Sequence, residues 1–363
     1  MSAPRVRVYG YRYAESSFGQ VTRGICRALA CMGELAGLYA LDDEDGAEGA
    51  EAPIGLCLGP PSNLIEAHRS GAHRSHWLLL APNGDSIPQG VIDTLTCPSA
   101  LLPSGLLTGG LLAPSSWAAE VLHRAMPGRP VIFCPHGVTA SVHRPLLPLR
   151  RAARASYEGD RFSVLHMTST ETERKGTRLL LRAWREALAE LPRDATLRIV
   201  MNPAHTGKVV RWCSEHELPI GSVEVLPGLA YTQAEIASAY SSSHVVCQPS
   251  RGEGFGLVPL EALACGVPVI ATLAAGHSEA LHGGMPGLVV VPHGPSEAMS
   301  DFAGSRAPSV EWQDIRDALL LASRTWPGLA DAAERNSKLL GESWAWERQS
   351  VPGLWGMIAH VGA

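Results

Sequence analysis

A strand-like run ending near Pro249 leads into Ser250-Arg251-Gly252-Glu253-Gly254-Phe255-Gly256, and an apolar stretch with helical character, about Leu257 to Cys265, follows it. A glycine-rich turn that opens a helix presents backbone N–H groups and the positive end of the helix dipole, which together suit an anion such as a diphosphate. Gly254 and Gly256 let the backbone approach a ligand closely. Glu253 and Glu261 stand eight residues apart, one on the loop ahead of the helix and the other just over a turn inside it. A carboxylate close to a diphosphate would repel it, so hydroxyl donors are the fitting partners: a sugar ring for Glu253 and a ribose for Glu261. The spacing leaves a second reading open, with Glu261 an ordinary helix residue and Glu253 a first-turn acid favoured by the dipole. Farther upstream, Arg174-Lys175-Gly176 places two cations before a helix, and by themselves they read equally as surface charges at a helix start.

The elements that must position these groups follow from the apolar pattern. The chain has 363 residues, 45% hydrophobic and 18% charged, enough to bury a sizeable core in about two domains. Short apolar runs at Val6 to Gly10, Ile54 to Leu58, Trp77 to Ala81, Leu111 to Pro114 and Val131 to Pro135 alternate with amphipathic stretches, which predicts a parallel sheet. Gly19 to Met32 reads as the first helix, and Ser115-Ser116 sits as an N-cap before Trp117 to Arg124. From Arg144 to Asp160 the pattern lapses into proline and arginine, where a linker belongs. A second series of strands follows at Phe162 to Met167, Thr196 to Met201, Val223 to Leu226, His244 to Pro249, Val267 to Ala271 and Leu288 to Val291. Leu180, Trp184, Ala187, Leu188 and Leu191 form one apolar stripe on a helix among them. Two α/β units of this kind predict a cleft between domains, with ligands bound beyond the carboxyl ends of the strands.

The segment from Gln248 to Ile270 resembles the Glu-x7-Glu signature of the family 4 retaining glycosyltransferases. Thr232 to Tyr240 is similar to the short helix before that signature, Gly276-His277-Ser278-Glu279 to the loop after it, and Arg174-Lys175-Gly176 to the opening of the second domain. Ala113-Pro114-Ser115-Ser116-Trp117 and Pro135-His136-Gly137-Val138 resemble the last two strand ends of the first domain. Coverage is strong over roughly 160 to 290 and thinner before 110. The resemblance implies the α/β GT-B fold, two facing Rossmann-like domains with an interdomain cleft. It divides the chain into an acceptor domain over 1–150, a nucleotide-sugar donor domain over 151–340, and a terminal helix over 341–363 that crosses back to the first domain.

The implied activity is transfer of a sugar from a nucleoside diphosphate sugar, a co-substrate, to a soluble acceptor, with retention of anomeric configuration and with neither metal nor cofactor. In the roles carried over, Lys175 and Arg174 neutralise the donor diphosphate, Glu253 holds sugar hydroxyls, the backbone from Gly254 through Phe255 and Gly256 to Leu257 binds phosphate, and Glu261 holds the ribose. Two departures stand out. Thr170 occupies the position where the family commonly has an arginine, leaving Arg174 to substitute, and the first glycine-rich loop, Ser16-Ser17-Phe18-Gly19-Gln20, keeps one glycine, Gly19, as the point of close approach. None of His68, His73 or His76 sits in a motif that would assign it to the donor sugar. His136 reads either as a cleft residue or as a structural one, and Asp85 either as an acceptor-side residue or as a turn aspartate. The alternative activity is that of a GT-B relative that acts on or binds a sugar nucleotide without glycosidic transfer, an epimerase or an inactive partner. A nicotinamide-dependent dehydrogenase would need Gly-x-Gly-x-x-Gly after the first strand, which the chain lacks.

Other classes are excluded by charge and pattern. Thirty basic against thirty-five acidic side chains leave a net charge of -5, unlike proteins held to nucleic acid by phosphate contacts. The uncharged stretch Thr94 to Ala119 is long enough to span a bilayer, but Pro98, Pro103, Pro114 and three glycines argue instead for two buried strands joined by turns. Eight cysteines without paired spacing read as reduced thiols, and no signal-peptide pattern precedes Val6, so a cytoplasmic location is expected. The acidic run Asp42-Asp43-Glu44-Asp45, with Glu48 and Glu51, reads as a solvated loop in preference to a metal site. The alanine, glycine and arginine richness fits a bacterium with GC-rich DNA. A small metabolite or antibiotic precursor is the expected acceptor.

Overall fold

The computed structural model describes residues 5–11, 17–41, 52–58, 64, 65, 67, 73, 75–82, 85–87, 89–96, 107–168, 173–228, 231–299 and 306–362. The acidic run from Asp42 to Glu51, His68 and Thr170 lie outside them, as does the loop at 12–16. The chain divides into two compact units, one built from Met1–Gly137 with Ser343–Ala363, the other from Val138–Glu342.

In the first unit, six parallel strands, β1 (Val6–Gly10), β2 (Leu35–Ala40), β3 (Ile54–Leu58), β4 (Ser75–Leu79), β5 (Leu111–Ala113) and β6 (Val131–Phe133), lie in the order β2-β1-β3-β4-β5-β6. The sheet's interior strands β1, β3, β4 and β5 are buried on both faces, which explains why their runs are mostly apolar, with Arg7 of β1 and Ser75 and His76 of β4 as buried polar residues. β2, a half-buried edge strand, is apolar throughout yet is not among the runs read from the sequence. Helix α1 runs over Ser17–Met32, two residues earlier than its sequence start, so Gly19 lies in its first turn. Of the stretch from Thr94 to Ala119, residues 97–106 lie outside the described residues, and with them the test of a pair of strands there; among the described ones, α2 (Gln89–Thr96) ends inside the stretch, β5 follows, and α3 (Ser116–Ala125) begins. Ser115 caps α3, accepting from the Ala118 amide at 3.0 Å. The returning C-terminal segment docks on this unit through Trp346, which lies against Gly24 of α1 and Gly137, and through Ser350 Oγ, which donates to the Pro135 carbonyl at 2.7 Å.

The second unit is also a six-stranded parallel sheet: β7 (Arg161–Met167), β8 (Asp194–Met201), β9 (Val223–Pro227), β10 (Val245–Gln248), β11 (Val269–Thr272) and β12 (Leu288–Val291), ordered β12-β11-β10-β7-β8-β9. The order reverses between β7 and β10, the topological switch point where doubly wound sheets open a crevice for a ligand. Helix α4 (Leu147–Glu158) occupies the stretch read as a linker, and contacts β7, so residues 138–150 pack with the second unit and not the first. Its apolar pattern lapses because the helix packs through the buried guanidinium of Arg150. Helices α5 (Thr177–Ala187), α6 (Thr206–Glu215), α7 (Gln233–Ser241), α8 (Leu257–Ala264), the short α9 (His277–Ala280) and the long α10 (Trp312–Ser343) complete this unit, with a small hairpin of β13 (Ser296–Ala298) and β14 (Arg306–Pro308). Leu180, Trp184 and Ala187 of α5 join Ile315, Leu319 and Trp326 of α10 in one core.

Candidate functional site

Three neighbouring strands, β7, β10 and β11, deliver their carboxyl ends to one edge of the second sheet. The loop after β7 carries Arg174 and Lys175, the turn after β10 carries Glu253, and the short α9 that follows β11 begins with His277. Gly176 and Gly256 permit the close approach of these loops. Both have positive φ, +71° and +97°, and a Cβ would collide with the Pro249 carbonyl in the first case and the His277 ring in the second. The Gly276 amide donates to the Glu253 carbonyl at 2.8 Å, tying the third loop to the second.

The structure brings Glu253, Arg174 and Lys175 together. Lys175 Nζ donates to Glu253 Oε1 at 2.6 Å, Arg174 Nη1 lies 3.0 Å from Oε2, and the same Nη1 donates to the Gly252 carbonyl at 2.6 Å. All three side chains are at most 14% exposed. Burial opposes ionisation of Glu253, but the charge of Arg174 and then that of Lys175 outweigh it and hold the carboxyl well below the usual range. His277 lies close by. Its Nδ1 donates to the Thr272 carbonyl at 3.0 Å, and burial keeps its ring below the ordinary histidine pKa despite the nearby Glu253 charge.

Helix α8 begins beside this trio. Of its first four residues, Leu257, Val258 and Leu260 carry amide hydrogens without intrahelical acceptors, while Pro259 has none to lose. Gly254 and Phe255 are buried in the turn ahead of it. Glu261 points elsewhere than Glu253: it is 3% exposed, and Tyr240 Oη of α7 donates to its Oε2 at 3.0 Å. Helix α7 is fixed by a capping box in which Thr232 and Glu235 satisfy one another's backbone.

Gly19 and the residues of the second unit fall in different compact units, so the sequence's donor-binding set divides accordingly. His136 is buried against Trp346, with ring centroids 5.4 Å apart, and burial lowers its pKa to about 3. Asp85 sits half-buried at a bend, its carbonyl 3.5 Å from Arg124 Nη2. Sequence reasoning missed Tyr240 as the partner of Glu261. No local spacing signals a contact across twenty-one residues, although both lie in the segments that carried the family resemblance. Among the described residues, no group of three or more histidines, cysteines, aspartates or glutamates is placed to hold a metal ion, and no helix is long and apolar enough to cross a membrane.

Comparison with known structures shows the fold to be the two-domain α/β GT-B type. Sucrose-phosphate synthase from Thermosynechococcus elongatus superposes with a TM-score of 0.70 over 99% of this chain and 100% of that one, at 14% identity. Anabaena HepE in complex with UDP-glucose does so with a TM-score of 0.68 over 97% and 99%, at 15% identity. At such identities the likeness speaks for fold alone. Residues 161–303, within the second unit, match the family described as Glycosyl transferases group 1. D-inositol 3-phosphate glycosyltransferase of an Arthrobacter species is 28% identical over 66% of this chain and 52% of its own length. That of Corynebacterium jeikeium is 36% identical over 28% of each. The matches thus span about half or less of these relatives' length.

Proposed function

We propose that the chain is a retaining glycosyltransferase that moves a sugar from a nucleoside diphosphate sugar to a small soluble acceptor. The observation that carries this reading is the convergence of Arg174 and Lys175 on Glu253 at the switch point of the second sheet, beside the start of α8. In the donor complex the diphosphate lies against Lys175, Arg174 and the amides of Leu257 and its neighbours, Glu253 takes hydroxyls of the transferred sugar, and Glu261 takes the ribose. As the bond from the anomeric carbon to phosphate breaks, its electron pair passes to the leaving oxygen, and the two cations stabilise the growing charge. The acceptor hydroxyl attacks on the same face and its proton goes to that phosphate oxygen, so configuration is kept without a protein base or a metal. Acceptor choice falls to the first unit. The names of the curated relatives support a small polyhydroxylated acceptor, and HepE supports UDP as the first nucleotide to try.

Calorimetry with UDP, GDP, ADP and their sugars, followed by donor turnover with and without candidate acceptors and NMR of the product's anomeric proton, tests the proposal. It fails if no nucleoside diphosphate binds, or if the product is inverted. Donor consumed without a glycoside forming would favour the non-transferring alternative.

A further inference from the structure

Beneath the proposed nucleotide site lies a polar contact that the donor chemistry has not used. His143 is 1% exposed, and its Nδ1 accepts the Thr139 amide at 3.3 Å. A neutral imidazole that accepts at Nδ1 carries its hydrogen on Nε2. That nitrogen makes no hydrogen bond, yet it lies 3.7 Å from Oε1 of Glu261, whose other oxygen is held by Tyr240. Burial and the charge of Glu261 raise the Tyr240 phenol well above its ordinary pKa, so Tyr240 remains a donor. Two donors from different segments therefore flank one buried carboxylate, and a buried N–H without an acceptor is unfavourable enough that Glu261 is drawn toward it. The terminal torsion of a glutamate is soft, and a small rotation closes the gap.

We propose that His143 is a positioning residue: with Tyr240 it fixes the plane of the Glu261 carboxylate so that its remaining lone pairs face the ribose hydroxyls of a ribonucleoside diphosphate. This rests on the reading of Glu261 as the ribose ligand. His143 touches no substrate itself. It sets how sharply the site separates ribonucleotides from deoxyribonucleotides, a property of Glu261's orientation more than of its presence.

The test compares, by calorimetry on the full chain, UDP (or GDP or ADP, whichever the panel above selects) with its 2′-deoxy and 3′-deoxy analogues. In the unaltered protein the ribonucleotide should bind about tenfold or more tighter than at least one analogue, the worth of a hydrogen bond to a charged group. His143→Phe, which fills the space without an N–H, should bring the ratio within about twofold, and His143→Gln, which keeps a donor, should restore most of it. Thermal unfolding checks that each variant is folded, and His143→Leu replaces His143→Phe if the latter is not. A merely structural role would weaken all ligands alike and leave the ratio unchanged, which overturns the inference, as does a glutamine variant no better than phenylalanine. If the unaltered protein binds ribo and deoxy forms equally, the ribose role of Glu261 falls together with it.

Discussion

Removing Glu253 separates two consequences that the sequence runs together. From sequence alone, Glu253→Ala costs activity with little loss of folding, but the structure makes this carboxylate the shared partner of two nearly buried cations at 2.6 and 3.0 Å. At an effective dielectric of ~20, each contact attracts by about 6 kcal/mol before desolvation. Breaking a buried pair typically costs a net ~3–5 kcal/mol, because each cation loses its counter-charge in a nearly buried place. For a unit of roughly 200 residues, the low end of that range lowers the unfolding midpoint by about 6–12 °C. The same substitution removes the carboxylate that competes with phosphate for Arg174 and Lys175. UDP should therefore bind as well as before, or up to about tenfold tighter, while transfer falls about a hundredfold, ~3 kcal/mol in the transition state. Calorimetry, a melting curve and initial rates on one preparation suffice. A rate and a UDP affinity that fall together, with stability unchanged, would refute the reasoning. The pH dependence has a definite sign. The folded carboxyl titrates below its unfolded value near 4.5, so its stabilisation is complete above that pH and is lost as pH falls further. The advantage of the unaltered protein over Glu253→Gln should thus stay constant above about pH 5 and shrink below it.

Lys175→Ala should lower transfer by about two orders of magnitude and weaken UDP, yet melt near the unaltered protein, because Arg174 keeps Glu253 paired; steady-state kinetics and a melting curve check both halves. Gly256→Ala places a Cβ on the His277 ring at a φ of +97° and should cost about 1–3 kcal/mol in urea unfolding while weakening nucleotide binding through the start of α8. His166 and His244 are buried neutral, with pKa values lowered to about 4 in the fold, so an unfolded chain binds more protons than the native one between about 6.5 and 4. Stability should therefore decline as pH falls through that window, by ~3 kcal/mol per histidine, and His166→Gln should flatten the slope of urea midpoints measured from pH 7 to pH 5.

Strand identity and order of chemistry were legible where physics acts locally. Val6–Gly10, Ile54–Leu58 and Leu288–Val291 could be read because predominantly apolar runs mark strands in a parallel sheet, and Leu257–Ala264 because glycine, proline and apolar spacing mark a helix start. β2 was missed although Leu35 to Ala40 is apolar throughout, because such a run directly after an amphipathic helix carries no local mark that separates a strand from a continuing helix. The site divides along the same line. Arg174, Lys175 and Glu253 stood out through their local motifs, but nothing local says that the glutamate resides on the two cations, a contact across 78 positions. Tyr240 and His143 escaped for the same reason, as each earns its place only through the packing of α7 and the 138–146 segment against α8.

The stretch from Arg144 to Asp160 misled most, and its chemistry reaches the site. Arg150 is 1% exposed, donates through Nη1 to the carbonyls of Ser241 and Ser243 at 3.2 and 2.7 Å, and through Nε to Glu334 at 3.3 Å. Burial tends to lower its pKa, which Glu334 partly offsets. Ser241 is the last residue of α7, so the guanidinium satisfies carbonyls that a helix end leaves open and opposes the negative end of its dipole. Tyr240 immediately precedes that residue and holds Glu261. Arg150→Met keeps the stem's packing but strands two buried carbonyls, and should cost about 3 kcal/mol or more in urea unfolding. Through the last turn of α7 it should also loosen the ribose contact, so that UDP weakens more than its deoxy analogue does. Unchanged stability would show that α4 is a passive spacer and that the end of α7 holds itself.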